Sequence, residues 1–239
     1  MILWIAATLI AFFVKGLCGF ADGLLFGTMM SFANNNVIIT PVQTLMSLPS
    51  NVILAWKNRK EIRLSFCLPV IAVMLAGDTM GALLLKNMDT HVLKILLGLI
   101  VAGLGVEMLL RERNPKKVKS SPVLMAAIGI ASGIISGLFS VGTLLTAYFS
   151  RVTDDTGSFK GNICLVFASE VFYRILIYLF TGMLTTQVLF RALTLFPFMI
   201  AALLLGMKSG SVLSEKTVRR IVIIVLIISG IALTLSNIR

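Results

Sequence analysis

Charged side chains inside apolar stretches are the residues of this chain best suited to chemistry. Lys15 and Asp22 stand in the apolar run 2–33, and Glu170 and Arg174 stand in a later apolar run. A charge deep in a membrane is costly and marks a functional site by default. Glu170 and Arg174 are four residues apart, so on a helix they share one face and can pair. We expect the two cations, Lys15 and Arg174, to bind an anion. For Glu170 and Arg174, the alternative is an ion pair with a purely structural role.

The carboxylates allow two further chemistries. Asp22 and Glu170 are candidates to carry a coupling proton, because a carboxyl group in a low-dielectric site can bind a proton near neutral pH. Asp22 and Asp78 both stand beside glycine, and an aspartyl hydrolase needs two carboxylates in one site. The residues around Asp78 lack the glycine pattern of intramembrane aspartyl proteases. We therefore expect no enzyme, and we assign Asp78 a snorkelling or helix-end role.

The first apolar run is too long to be one straight membrane helix. Its 32 residues would extend about 48 Å, against a hydrocarbon core of roughly 30 Å. A charged, glycine-rich segment, 15–23, interrupts it, and glycine is a poor helix residue. Such a break is tolerated where protein or a water-filled cavity surrounds it. The alternative is a long tilted helix whose glycines permit close packing.

An internal repeat relates two halves of the chain at an offset of 119 residues. The segment 138–145 repeats the pattern of 19–26, inside a second over-long apolar run, 122–150. A later match at an offset of 129 indicates an insertion near 175–200. The matched residues are Gln43 with Asn162, Ser50 with Ser169, Asn51 with Glu170 and, at the larger offset, Gly77 with Gly206 and Gly81 with Gly210.

The second apolar element, 38–56, carries its polar residues on one face. Gln43, Ser47, Ser50 and Asn51 follow a spacing of three to four residues, which is the helical repeat. Such a face lines either a cavity or a helix interface.

Composition places the chain among all-α polytopic membrane proteins. It is 58% hydrophobic and 13% charged, with a mean hydropathy of +1.00, whereas soluble domains are near 25% charged. The net charge of +11 comes from short loops between apolar segments, so we expect a lipid bilayer as the partner and no nucleic acid. The three cysteines and single histidine, His91, indicate no disulfide framework, metal site or cofactor. The first residues lack a positively charged n-region, so no removable signal peptide is expected.

Loop charges predict the topology. If every apolar element crossed once, the basic loop 208–220 would face outward, against the positive-inside rule. The conflict disappears if each broken segment turns back as a re-entrant hairpin, followed by three spans. An odd number of crossings in each half makes the halves inverted repeats. The predicted parts are a first repeat 1–113, a basic cytoplasmic linker 114–121 and a second repeat 122–239, in one membrane domain with both termini outside.

The chain resembles the sulfite exporter TauE/SafE family, also described as sulfonate-uptake permeases. The resemblance covers nearly the whole chain and lies in the duplicated four-element halves, the basic linker and the glycine-rich openings at 16–23 and 133–142. It implies transport of sulfite or a small organosulfonate. The family motif has more consecutive glycines, whereas Asp22 and Val141 here stand beside single glycines, so the substrate can differ.

We expect a secondary transporter of a small anion in a cell membrane, by resemblance a prokaryotic plasma membrane. An anion channel, or a transporter of another small organic anion, is the alternative, and oligomeric state is left open. No phosphate-binding P-loop occurs. Asp22 and Glu170 are the expected proton carriers. The expected substrate-binding residues are Lys15, Gly19, Gly23, Gln43, Ser50, Asn51, Ser140, Gly142, Thr143, Asn162, Ser169 and Arg174.

Overall fold

The computed structural model describes residues 1–113, 121–153, 155–209 and 215–237. These residues form ten α-helices and a 3-10 turn, Arg59–Glu61, and the described ranges contain no strand. The helices are α1 (Ile2–Cys18), α2 (Asp22–Ser31), α3 (Asn36–Lys57), α4 (Leu64–Asn87), α5 (Thr90–Arg113), α6 (Pro122–Phe139), α7 (Thr143–Val152), α8 (Thr156–Phe180), α9 (Thr186–Ser209) and α10 (Glu215–Ser236).

The helices confirm a polytopic membrane protein. Seven are long and apolar enough to cross a bilayer: α3, α4, α5, α6, α8, α9 and α10. The remaining three are α1 with 17 residues and α2 and α7 with 10 each. Both over-long runs are broken, at residues 19–21 and 140–142, as their length and glycines predicted. The predicted linker 114–121, apart from Ser121, lies outside the described residues, as does Gly210.

Close glycine contacts join α4 to α6 in parallel. A Cβ atom added at Gly77 would lie 2.3 Å from the Ile130 carbonyl oxygen, and one added at Gly81 would lie 2.3 Å from that of Ile134. The facing glycine, Gly133, would meet the Met74 carbonyl oxygen at 2.3 Å. Because later residues of α4 contact later residues of α6, the two helices run in the same direction. Small residues allow this close packing, as is usual in membrane helix interfaces.

A second glycine contact joins α1 to α9. A Cβ atom at Gly206 would lie 2.1 Å from the Phe13 carbonyl oxygen. Near the start of both helices, the guanidinium of Arg191 lies 4.8 Å from the centre of the Trp4 ring. Later residues of α1 therefore contact later residues of α9, so the two helices are parallel.

The pairs α3 with α8 and α5 with α10 run in opposite directions. Gly98 of α5 faces Thr234 near the end of α10, whereas Gly105 faces Ile227 earlier in α10. Similarly, Asn58 at the end of α3 contacts Gly161 near the start of α8.

The short helices α2 and α7 turn back along the helices that precede them. The Phe26 ring of α2 lies 5.8 Å from the Trp4 ring at the start of α1. The Phe149 ring of α7 lies 5.0 Å from that of Phe66, near the start of α4. Since α6 is parallel to α4, α7 returns toward the end where α6 began.

The end of α3, the start of α8 and the end of α9 lie together at one end of the helix bundle, which we call the basic end. Lys57 at the end of α3, Lys160 near the start of α8 and Met207 near the end of α9 line one cavity of about 160 Å³. Trp4 and Arg191 lie at the opposite end, because α1 and α9 both run toward the basic end.

Candidate functional site

Left-handed backbone marks both helix breaks. Gly19 has φ of 89° and Ala21 has φ of 78° at the first break, and Ser140 has φ of 56° at the second. Left-handed backbone costs an L-residue about 1–2 kcal/mol, and it persists where the surroundings fix it. Ser140 is fixed by its hydroxyl, which accepts a hydrogen bond from Arg174 Nη1 at 2.9 Å and shares another with Thr44 at 2.9 Å.

The two breaks touch each other. A Cβ atom added at Gly23, in the first turn of α2, would lie 1.8 Å from the Ser140 carbonyl oxygen. Only glycine fits at this point, since any larger residue would strike backbone. Gly23 is the residue that permits this contact between the breaks.

Asp22 is held by three donors at the start of α2. Its Oδ2 accepts from Lys15 Nζ at 2.8 Å, Gln43 Nε2 at 2.9 Å and Ser47 Oγ at 2.6 Å. The Lys15 side chain is 1% exposed. Of the two roles that sequence suggested for Asp22, pairing with Lys15 is present in this state. Buried charges of this kind need such partners, because an unpaired charge in an apolar interior is very costly.

Arg174 is the centre of a second polar cluster. Its Nε donates to Asp78 Oδ1 at 2.7 Å, its Nη2 donates to Ser136 Oγ at 2.8 Å, and its guanidinium pairs with Glu170. The predicted pairing of Glu170 with Arg174 is therefore confirmed. The snorkelling or helix-end role assigned to Asp78 is wrong, because its side chain is 0% exposed and ion-paired. Its neighbouring glycines let α4 approach α6 closely, which encloses Asp78 between helices.

A small cavity of about 30 Å³ lies between the two clusters. That is room for about two water molecules. The polar and glycine residues that line it are Lys15, Asp22, Gly23, Ser47, Asn51, Ser136, Ser140, Gly142, Thr143, Thr146, Glu170 and Arg174. Nine of these were expected from sequence: Lys15, Asp22, Gly23, Asn51, Ser140, Gly142, Thr143, Glu170 and Arg174.

Five expected residues do not line the cavity. Gln43 donates a hydrogen bond to Asp22, and Gly19 packs against the side chain of Lys160. Asn162 lies nearer the basic end, where its Oδ1 accepts from the Arg63 backbone N–H at 2.7 Å. Ser50 and Ser169 bond to carbonyl groups within their own helices.

Four polar residues of the site were missed by sequence reasoning. Ser47 belonged to the recognised polar face of α3, and Ser136 precedes Ser140 by four residues, so both had a sequence signal. Asp78 had the signal of a charge inside an apolar run but was assigned a helix-end role, and Thr146 had no signal, since its position depends on how distant helices pack.

No group of three metal-ligating side chains occurs in the described ranges, and the three cysteines are buried. Asp22 and Asp78 each pair with a different cation. His91 lies in the first turn of α5.

Nearly the whole chain matches a known protein family. The family model described as "Sulfite exporter TauE/SafE" matches residues 4–233. Neither the curated proteins nor the solved structures contain a match to this chain. Because the family match covers nearly the whole chain, the chain belongs to the sulfite exporter TauE/SafE family of membrane transporters.

Proposed function

We propose that this protein is a secondary transporter of a small oxyanion, sulfite or a small organosulfonate, and that the anion binds between the two helix breaks. One observation carries the proposal. Two buried cations on different helices, Lys15 and Arg174, reach the same cavity at the point where the broken helices meet.

The cavity offers the donors that an oxyanion needs. Arg174 presents a planar fork of N–H groups, which suits the oxygens of a sulfur oxyanion. Ser140 and Thr143 add hydroxyl groups. The starts of α2 and α7 both lie at the cavity, and neither has a side-chain cap, so their backbone N–H groups favour negative charge.

Anion binding requires rearrangement of this state. Lys15 and Arg174 are already paired with carboxylates, so an anion must compete with Asp22, Asp78 or Glu170. A cavity that holds about two waters is also too small for a hydrated organosulfonate. In our proposal, substrate enters when the helices around the breaks separate.

Helix directions support an inverted repeat. The proposed equivalents α3 and α8 are antiparallel, as are α5 and α10, and the contact of α4 with α6 is matched by that of α9 with α1. The return of α2 and α7 along their partners fits re-entrant hairpins. With the basic ends in the cytoplasm, both termini lie outside. The repeats 1–113 and 122–239 then surround one central site, as in other transporters with broken helices. A prokaryotic plasma membrane is the proposed location, and Asp22 and Glu170 remain proposed proton carriers.

Binding to purified protein tests the site. Sulfite and methanesulfonate should raise the melting temperature in proportion to RT ln(1 + [L]/Kd). Lys15→Ala should weaken anion binding, whereas Lys15→Arg should retain part of it. Lys57→Ala, which removes a lysine at the basic end, is the matched control and should bind normally.

Two results would contradict the proposal. Unchanged anion affinity in both Lys15→Ala and Gly142→Val would place the site elsewhere. In vesicles, flux that never saturates and does not respond to a proton gradient would indicate a channel instead of a transporter.

A further inference from the structure

We infer that Asp78 and Glu170, which share the guanidinium of Arg174, take up a proton when an anion binds at Arg174, so that anion and proton travel together. This inference rests on the proposed transport function and adds Asp78 to it.

Carboxylates outnumber cations around the cavity. The ionisable side chains of the two clusters are Lys15 and Arg174 on one side and Asp22, Asp78 and Glu170 on the other. If all five were ionised, the clusters would carry one negative charge in excess. An added anion would double that excess inside a membrane, where unbalanced charge is costly. Uptake of one proton by a carboxylate offsets the charge of the anion and returns the excess to one.

Asp78 and Glu170 receive fewer donors than Asp22. Asp22 receives three hydrogen bonds on one oxygen. Asp78 receives one, from Arg174 Nε, and its other oxygen, Oδ2, is buried without a hydrogen-bond partner, while Glu170 is held by its ion pair with the same guanidinium. An ionised oxygen without a donor costs more in an apolar interior than a neutral one. The added proton therefore belongs on the Asp78–Glu170 pair rather than on Asp22.

Few other groups can compete for this proton. From α8, Glu170, Arg174 and the phenol of Tyr178 face Asp78, and the Tyr173 phenol bonds to Thr79 at 3.0 Å. α6 contains no titratable side chain, and in α3 the only one is Lys57 at its far end. Asp78 and Glu170 are thus the acidic side chains that face Arg174 from the helices packed around it.

The exchange can be written as a balanced step. The anion accepts hydrogen bonds from Arg174 N–H groups that a carboxylate had used. The displaced carboxylate takes one proton from a hydronium ion of the water that reaches the open site, which forms a carboxyl O–H bond and leaves a neutral water molecule. Release of the anion reverses both changes. Since binding consumes a proton, the affinity for anion must rise as pH falls.

The test is the pH dependence of anion affinity in purified protein. Methanesulfonate is the probe, because it keeps a single negative charge across the neutral range. Wild-type affinity should rise about tenfold for each unit that the pH falls. Asp78→Asn removes the excess carboxylate, so its affinity should be nearly independent of pH. Glu107→Gln, which removes a carboxylate paired with Arg151 outside the cavity, should keep the wild-type slope.

A transport assay gives a second readout. In vesicles, Asp78→Asn should still exchange labelled for unlabelled methanesulfonate, but it should lose accumulation driven by a pH gradient. If Asp78→Asn does not fold, Glu170→Gln is measured in its place with the same expectations. If methanesulfonate does not bind but sulfite does, the difference in slope between wild type and variant is used, since the protonation of sulfite itself cancels.

The outcomes separate the two proposals. A wild-type affinity that is flat with pH, or a variant that keeps the full slope, overturns the proton inference while leaving anion transport standing. Wild-type protein that binds neither sulfite nor methanesulfonate overturns the proposed function itself.

Discussion

At the scale of single residues, each buried cation of the site is paired with a carboxylate, and removal of either partner is costly. Lys15 and Asp22 form one such pair, and Arg174 with its carboxylates forms the other. Breaking a buried pair leaves a stranded charge, which costs about 3–5 kcal/mol, more than the intact pair contributes. Effects on folding and on binding must therefore be separated by paired variants.

Lys15→Ala should destabilise the protein, because Asp22 then keeps its charge without its cation. We expect a loss of about 3–5 kcal/mol, seen as a lower melting temperature in detergent. The double variant Lys15→Ala with Asp22→Asn should recover most of that loss while anion binding stays weak. Equal melting temperatures for the single and double variants would show that the pair is not coupled.

Arg174→Lys should fold better than Arg174→Ala but bind anion poorly. The lysine ammonium keeps one positive charge, yet it lacks the planar fork that reaches Asp78, Ser136 and Ser140 together. Glu170→Gln, which leaves a neutral hydrogen-bonding group, should harm transport less than Arg174→Ala. Normal transport by folded Arg174→Ala protein would exclude this residue from the site.

At the scale of helices, glycines decide how closely the elements approach. Gly23 lets the start of α2 touch the second break, and four glycines let α4 lie against α6: Gly77, Gly81, Gly133 and Gly137. These contacts involve backbone atoms, which cannot move aside as a flexible side chain would.

Gly23→Ala should therefore force the two breaks apart. We expect a loss of stability of about 1–3 kcal/mol and a large loss of anion affinity. Gly27→Ala is the matched control, since it lies one turn further along α2 and its added Cβ atom would be 3.8 Å from the nearest atom, the Phe139 carbonyl oxygen. Similar melting temperatures and affinities in the two variants would mean that the breaks do not depend on close contact.

At the scale of the whole molecule, the arrangement of ends can be measured by cysteine labelling. The native cysteines are buried, so unmodified protein should not react and serves as the background. Lys60→Cys, exposed at the basic end, should react with an impermeant thiol reagent only from the cytoplasmic side. Gln187→Cys, exposed at the start of α9, should react only from outside. Reaction of both positions from one side would refute the proposed topology.

Sequence predicted the elements well because their signals are local. Over-length and glycine content revealed both breaks, and a four-residue spacing revealed the pairing of Glu170 with Arg174. The bond from Arg174 to Asp78 joins residues 96 positions apart, so only the packing of α4 against α8 brings them together. The helical spacing of the polar residues predicted more cavity-lining residues than the structure has. Only some residues of each polar face reach the cavity, and Asn162 lies nearer the basic end.

The left-handed residues Ala21 and Ser140 stand at the same place in the proposed repeat, 119 positions apart. Two halves made of L-residues can be related by rotation but never by reflection, so both breaks keep the same hand. The match of the two backbones is incomplete, because Gly19 is also left-handed whereas its equivalent, Leu138, lies inside α6. The charged side chains are unmatched as well, since the equivalents of Lys15, Asp22 and Arg174 are Ile134, Val141 and Ala55. Any preference for import or export must come from these differences between the halves and from the gradients across the membrane.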